Sequence, residues 1–126
     1  MPKIKLGSPP ESFARTVTFK QLDGLEVQIK VTFRYRTREQ YAAFMDDLYK
    51  AATGQASPPT GAEISAAAKE GIDRDVEHIF GALLAWDLDD ELDRDSVRLL
   101  ANEFPAAIAA ITDDYRLAVT EGRAKN

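Results

Sequence analysis

Cysteine is absent from these 126 residues, and histidine and tryptophan occur once each, as His78 and Trp86. Without cysteine there is no disulfide, no thiolate metal site and no cysteine nucleophile. A single histidine leaves carboxylates to complete any metal centre, and a Ser-His-Asp arrangement lacks a nucleophile elbow. The seven glycines are scattered, so no glycine-rich loop exists to cradle a phosphate. No run of about 18 apolar residues occurs, and no helical membrane span is expected. The opening Met-Pro-Lys-Ile-Lys-Leu has neither the apolar core nor the cleavage site of a signal peptide. Together with the missing cysteines, this start fits a reducing cytoplasm.

What is present is ordinary for a soluble globular protein: 44% of residues are hydrophobic and the net charge is −5. The length predicts one domain, spanning 1–126, that buries roughly two-thirds of its unfolded surface. The charge is unevenly placed. Residues 1–40 hold eight Lys/Arg against four Asp/Glu, whereas 41–126 hold eight against seventeen. Halves of opposite sign point to an electrostatic match within or between molecules. An acidic body argues against nucleic acid as the partner, because phosphate neutralisation needs clustered cations.

Leu25 to Tyr35 alternates strictly. Leu25, Val27, Ile29, Val31, Phe33 and Tyr35 share one face, and Lys30, Arg34 and Arg36 lie on the other. A preceding strand is predicted over Arg15–Leu22, with Asp23-Gly24 supplying the positive-φ residues of a tight hairpin turn. Ile4 and Leu6 offer a short third strand near 3–6 before the break at Pro9-Pro10. Thr37-Arg38-Glu39-Gln40 reads as a capping box opening a helix over about 38–53, ended by Gly54. An exposed Pro/Gly loop is expected at 54–61. A second helix follows over about 62–85, with Gly71 as a point where it could bend or divide and with Val76, Ile79, Phe80, Leu83 and Leu84 at helical spacing. A third, about 94–104, would bury Val97, Leu100, Ala101 and Phe104. Pro105 would open a fourth, burying Ile108, Ile111, Tyr115 and Val119, with Gly122 as its stop and 123–126 frayed. The expected class is α+β: an antiparallel hairpin packed against about four helices.

Few residues carry chemistry. His78 is expected at the surface or its boundary. The stretch Asp87–Asp95 offers many carboxylates, but counting from Asp87 an EF-hand needs Gly at position six and Glu at position twelve, where Leu92 and Arg98 stand. Asp93 or Asp95 better explains itself as a helix cap. Asp46-Asp47 and Asp113-Asp114 lie on helices, where neighbours diverge by about 100°, and are expected on solvated faces. No cofactor, metal or catalytic residue is predicted. Trp86 remains as an amphipathic anchor, flanked by Asp87, Asp89 and Asp90, and Arg34, Arg36 and Arg38 continue a basic row from Lys30.

Two segments resemble the tail assembly chaperones of long-tailed bacteriophages. The first is Lys3-Ile-Lys-Leu, a Pro-rich break, a hairpin, then Val31-Thr-Phe-Arg-Tyr-Arg-Thr-Arg-Glu-Gln-Tyr-Ala-Ala-Phe. The second is Ala85-Trp86-Asp87-Leu88-Asp89-Asp90-Glu91, followed by Leu99-Leu100, Glu103-Phe104-Pro105-Ala106, Ile108, Tyr115, Glu121-Gly122-Arg123 and Asn126. Where that family carries Gly before Trp-Asp, this chain has Ala85. The resemblance implies a non-catalytic protein of the host cytoplasm, absent from the mature virion. It would bind the tape measure protein until tail tube subunits polymerise around it, with a homo-oligomer as a further expectation. The partner-binding candidates are then Trp86, Asp87, Asp89, Asp90, Arg34, Arg36 and Arg38. From the residues alone, a cytoplasmic protein-binding adaptor and a carboxylate-metal enzyme at the acidic loop stand as the other readings.

Overall fold

A computed structural model describes residues 6–7, 10–50 and 61–122. In chain order the elements are β1 (Ser12–Lys20), β2 (Glu26–Arg34), α1 (Arg38–Lys50), α2 (Gly61–Ala82), β3 (Leu83–Trp86), α3 (Arg94–Glu103) and α4 (Pro105–Glu121). The class is α+β, as expected. The sheet order is β1-β2-β3, with both pairings antiparallel.

The alternation in β2 does what its period dictates. Ile29, Val31 and Phe33 are buried together with Val17 and Phe19 of β1, while Gln28, Lys30 and Arg34 face out. The strands register Val17 against Ile29 and Lys20 against Glu26. The connection is therefore longer than a two-residue turn. The Gln21 amide donates to the Leu25 carbonyl at 2.8 Å, Asp23 Oδ1 accepts from the Leu25 amide at 3.0 Å, and only Gly24 takes positive φ, at +87°. Leu25 accordingly belongs to the loop and is exposed.

The capping box at the start of α1 is formed in both directions. The Gln40 amide donates to Thr37 Oγ1 at 3.2 Å, and the Thr37 amide donates to Gln40 Oε1 at 2.9 Å. Asp93 caps α3, its Oδ1 accepting from the Ser96 amide at 2.8 Å. Pro105 opens α4, and Gly122 closes it in the left-handed region.

Several expectations need correction. The second helix stops at Ala82, and Leu83–Trp86 becomes a strand, pairing Phe33 with Leu83 and Val31 with Trp86. The apolar run there satisfies helical spacing, yet pairing to the free edge of β2 buries Leu83 and satisfies backbone groups that a longer helix would leave open. The third strand thus comes from this segment. The one anticipated near 3–6 lies mostly outside the described residues, and Leu6 sits in a turn. Phe104 ends α3 at an exposed corner instead of entering the core. Gly71 leaves α2 continuous. Of the anticipated loop at 54–61, Gly61 instead begins α2 and the rest falls outside the described residues, as does the anticipated frayed end at 123–126.

All helices contribute to a core on the inner face of the sheet. At its centre Phe33 and Tyr115 stack with ring centroids 4.9 Å apart, and Phe13 and Tyr41 close around them at 5.3 Å from Phe33 and 5.6 Å from Tyr115 respectively. Phe33 has no exposed surface. Phe33→Ala is expected to destabilise the fold by about 3–5 kcal/mol in denaturant titration, and an unchanged midpoint would refute its central place.

Candidate partner-binding surface

Trp86 ends β3 at the sheet's edge, half-buried against the core. Its Nε1 donates to the Asp90 carbonyl at 2.7 Å, so the indole pins the acidic loop that follows. Asp87 is used up in extending the pairing. Its amide donates to the Lys30 carbonyl at 3.0 Å, and its Oδ1 accepts from the Lys30 amide at 2.9 Å. Asp89 and Asp90 remain exposed.

These residues border a cleft of about 340 Å³ between the inner sheet face and α3. Phe19, Val27, Trp86, Leu88, Leu99 and Phe104 form its apolar lining. Asp89, Asp90 and Glu103 supply three acids, and among the described residues no Lys or Arg lines it. Leu99 is 56% and Phe104 39% exposed, so two large apolar side chains border the cleft in contact with solvent. Sequence reasoning missed both. The available signal was Leu99, an apolar residue out of phase with the buried stripe Val97, Leu100 and Ala101.

The basic row divides. Lys30 and Arg34 project from the outer face of the sheet, and Arg38 is exposed at the start of α1. Arg36 turns inward instead. Its Nη1 donates to the Gly81 carbonyl at 2.7 Å and to the Tyr115 hydroxyl at 2.9 Å, and its guanidinium lies 3.9 Å from the centre of the Phe44 ring. The strand has ended at Arg34, so the alternation no longer dictates a solvent-facing side chain. Burial pushes the Tyr115 phenol up, partly countered by Arg36.

Asp114, expected on a solvated face, is buried and paired with Arg15 Nη2 at 2.7 Å. Asp113 holds to the sequence reading more closely and pairs with Arg116 along the helix. His78 is likewise buried, contrary to expectation, beneath α1 with its ring edge towards Phe44. Its Nε2 has no hydrogen-bond partner among the described residues. Among those residues no group of three or more His, Asp or Glu converges as a metal site. No described helix is long and apolar enough to cross a membrane.

A second groove, about 510 Å³, separates α1 from α2 and exposes parts of Phe44, Leu48 and Phe80. Phe44 packs directly on Gly81 in its lining, a contact only glycine allows, since a Cβ there would lie 2.5 Å from Phe44 Cε1.

A family model described as phage tail assembly chaperone matches residues 1–126. The chain belongs to the phage tail assembly chaperones. No curated protein and no solved structure matches it. Membership assigns the chaperone a role in building phage tails, and hence other tail proteins as partners. Its surface carries an acid-bordered apolar cleft.

The buried histidine sets a pH response. Burial, and secondarily the nearby Arg36 cation, lowers the His78 pKa to about 4. The folded protein therefore takes up this proton later than the unfolded chain, whose histidine titrates near 6.5. The stabilisation is complete above about pH 6.5 and is lost as pH falls towards 4, by about 3 kcal/mol in all. Denaturant titrations between pH 7.5 and 4.5 should show this slope, and His78→Leu should flatten it. An equal slope in the variant would assign the response to other groups.

Proposed function

We propose that this chaperone binds an apolar helical segment of the tape measure protein and keeps it soluble until tail tube subunits polymerise around it. The family assignment supplies the setting, and the cleft beside Trp86 is the observation that carries the reading. A helix entering it would bury an apolar anchor against Trp86, Leu99 and Phe104 and set basic residues against Asp89, Asp90 and Glu103. Steering by those carboxylates accelerates encounter with a basic segment and weakens with added salt. Work of this kind calls for no catalytic group or cofactor, and it belongs in the host cytoplasm before the virion is complete. Arg34 and Arg38, exposed on another part of the surface, are left for a further contact such as the tail tube protein. Arg36 is already committed within the fold.

Trp86 serves two purposes on this reading, because it packs on the core and pins the loop. Trp86→Ala should therefore lower thermal stability and client binding together. The double variant Asp89→Lys/Asp90→Lys alters only exposed side chains, although the Asp90 carbonyl still accepts from Trp86. It should retain the wild-type melting temperature while losing at least tenfold in affinity for the tape measure protein. The direct measurement is co-expression with the tape measure protein of the same phage, followed by co-purification and a solubility assay. Absence of both co-purification and any gain in solubility would overturn the function. Wild-type affinity in the double variant would instead move the contact away from this cleft.

A further inference from the structure

Among the described residues β1 is an outer strand of the sheet, and its ladder leaves one set of backbone groups pointing away from the molecule. The Glu11 carbonyl accepts from the Tyr35 amide at 3.0 Å, and the Gln21 amide donates to the Leu25 carbonyl at 2.8 Å. Between those ends the register is unbroken, from Ser12 against Arg34 to Lys20 against Glu26. Odd-numbered residues of β1 therefore turn their amides and carbonyls towards β2, and Ser12, Ala14, Thr16, Thr18 and Lys20 turn theirs outward. Edge strands that stay single are blunted by bulges, prolines or charges along the edge. β1 has no register shift and no proline, and on its solvent face only Lys20, at the very end, is charged.

This edge is complementary to itself. An antiparallel copy related by a two-fold axis at Thr16 overlaps all nine residues of the strand, and any other centre overlaps fewer. Thr16 then meets Thr16, Ala14 meets Thr18 and Ser12 meets Lys20, each pair exchanging two amide-to-carbonyl hydrogen bonds. On the inner face Phe13 meets Phe19, an aromatic cross-strand pair, and Arg15 meets Val17. A centre at Arg15 would instead set that cation directly against its own copy. In the Thr16 register Arg15 keeps its partner Asp114, 2.7 Å away. A second match lies just past the strand end. Leu22, at the tip of the hairpin, is fully exposed. Continuing the same register sets it alongside Pro10 of the second copy. Pro10 borders a pocket of about 320 Å³ whose apolar lining includes Phe13, Tyr35, Ala118 and Val119. Phe13 and Val119 are only partly buried there. An exposed leucine that packs on nothing in the single chain thus arrives at an apolar pocket with room for it.

We propose that the outer edge of β1 is an interface with a second copy of this chain. The two strands pair antiparallel about Thr16, and Leu22 of each copy is seated at the Pro10–Phe13 pocket of the other. Two three-stranded sheets become one continuous sheet, with β3 at either outer edge. Both copies use the same surface, so the contact closes at a dimer and does not propagate. It involves neither Trp86 nor the acids beside it, and it holds whatever the client of that cleft is.

A strand pair with one apolar anchor from each copy is a small interface, so association is expected in the micromolar range. Sedimentation of the full chain should pass from monomer to dimer there. Thr16→Lys changes an exposed side chain and sets two cations directly opposite at the axis. It should keep the far-ultraviolet circular dichroism of the wild type and weaken association at least tenfold. Leu22→Asp, in the loop, should weaken it severalfold. The register is read by cross-linking, which the absence of native cysteine makes clean. Thr16→Cys brings two thiols to a cross-strand pair with Cα atoms about 5.5 Å apart, within disulfide reach. Thr18→Cys leaves its two thiols four residues out of step, roughly 13 Å apart. Copper-catalysed oxidation should therefore link Thr16→Cys at least tenfold faster than Thr18→Cys. A wild-type chain that stays monomeric to about 100 µM, well above micromolar association, overturns the interface. So does a dimer that Thr16→Lys leaves intact, or equal cross-linking at the two positions. Undiminished association in Leu22→Asp would remove the pocket contact and overturn the seating of the hairpin tip.

Discussion

The Tyr115 hydroxyl joins parts of the chain that lie far apart in sequence. It donates to the Arg34 carbonyl at 2.8 Å, where β2 ends, and accepts from Arg36 Nη1 at 2.9 Å. Arg36 in turn donates to the Gly81 carbonyl in the last turn of α2 and covers the Phe44 ring of α1. The end of the sheet, two helices and α4 thus share one buried polar node. A cation at a helix C-terminus satisfies an otherwise open carbonyl and suits the negative end of the helix dipole. Such networks are valuable only when every member is paired, since low dielectric raises the cost of each open group. Because α2 is ended there, the chain is free to leave the helix and enter β3.

That change of direction builds the candidate partner-binding surface. β3 covers the open edge of β2, carries Trp86 to the mouth of the core and launches the acidic loop. Had the helix continued to residue 85, its backbone could not have paired with β2, and the loop would have lost the Lys30–Asp87 hydrogen bonds that seat it. The cleft between the sheet and α3 depends on this placement. Its acids face solvent with no lining cation among the described residues, whereas the exposed pairs Arg94–Glu77 and Arg98–Asp73 tie α2 to α3 nearby. Exposed pairs like these contribute little to stability individually.

The opposite charges of the two halves of the chain find one internal use. Arg15 of the basic half reaches buried Asp114 of the acidic half, fastening β1 to α4. Removing either partner would leave a poorly solvated charge, which is far costlier than losing a surface pair. Most remaining cations of the first 40 residues, among them Lys20, Lys30, Arg34 and Arg38, stay outside, while the acids crowd the helical side and the loop after β3.

Local chemistry was legible in the sequence. The alternation of residues 27–33, the Thr37–Gln40 box, the Asp93 cap, Pro105 and Gly122 each act within a few residues, so spacing alone determined the hairpin and most helix boundaries. The absence of cysteine and the lone histidine likewise settled which chemistries the chain lacks the residues for. Tertiary structure decided the rest. Leu83–Trp86 satisfies helical spacing equally well, and only the vacant edge of β2 turns it into a strand. Arg36 and Asp114 look like solvent-facing charges in one dimension, and His78 like a boundary residue. They are interior because Tyr115, Arg15 and Phe44, all distant in sequence, arrive beside them and repay part of their desolvation. The acidic residues around Trp86 could be named from the sequence, but their apolar companions Leu99 and Phe104 could not, since it takes the packing of α3 against the sheet to bring them to one cleft.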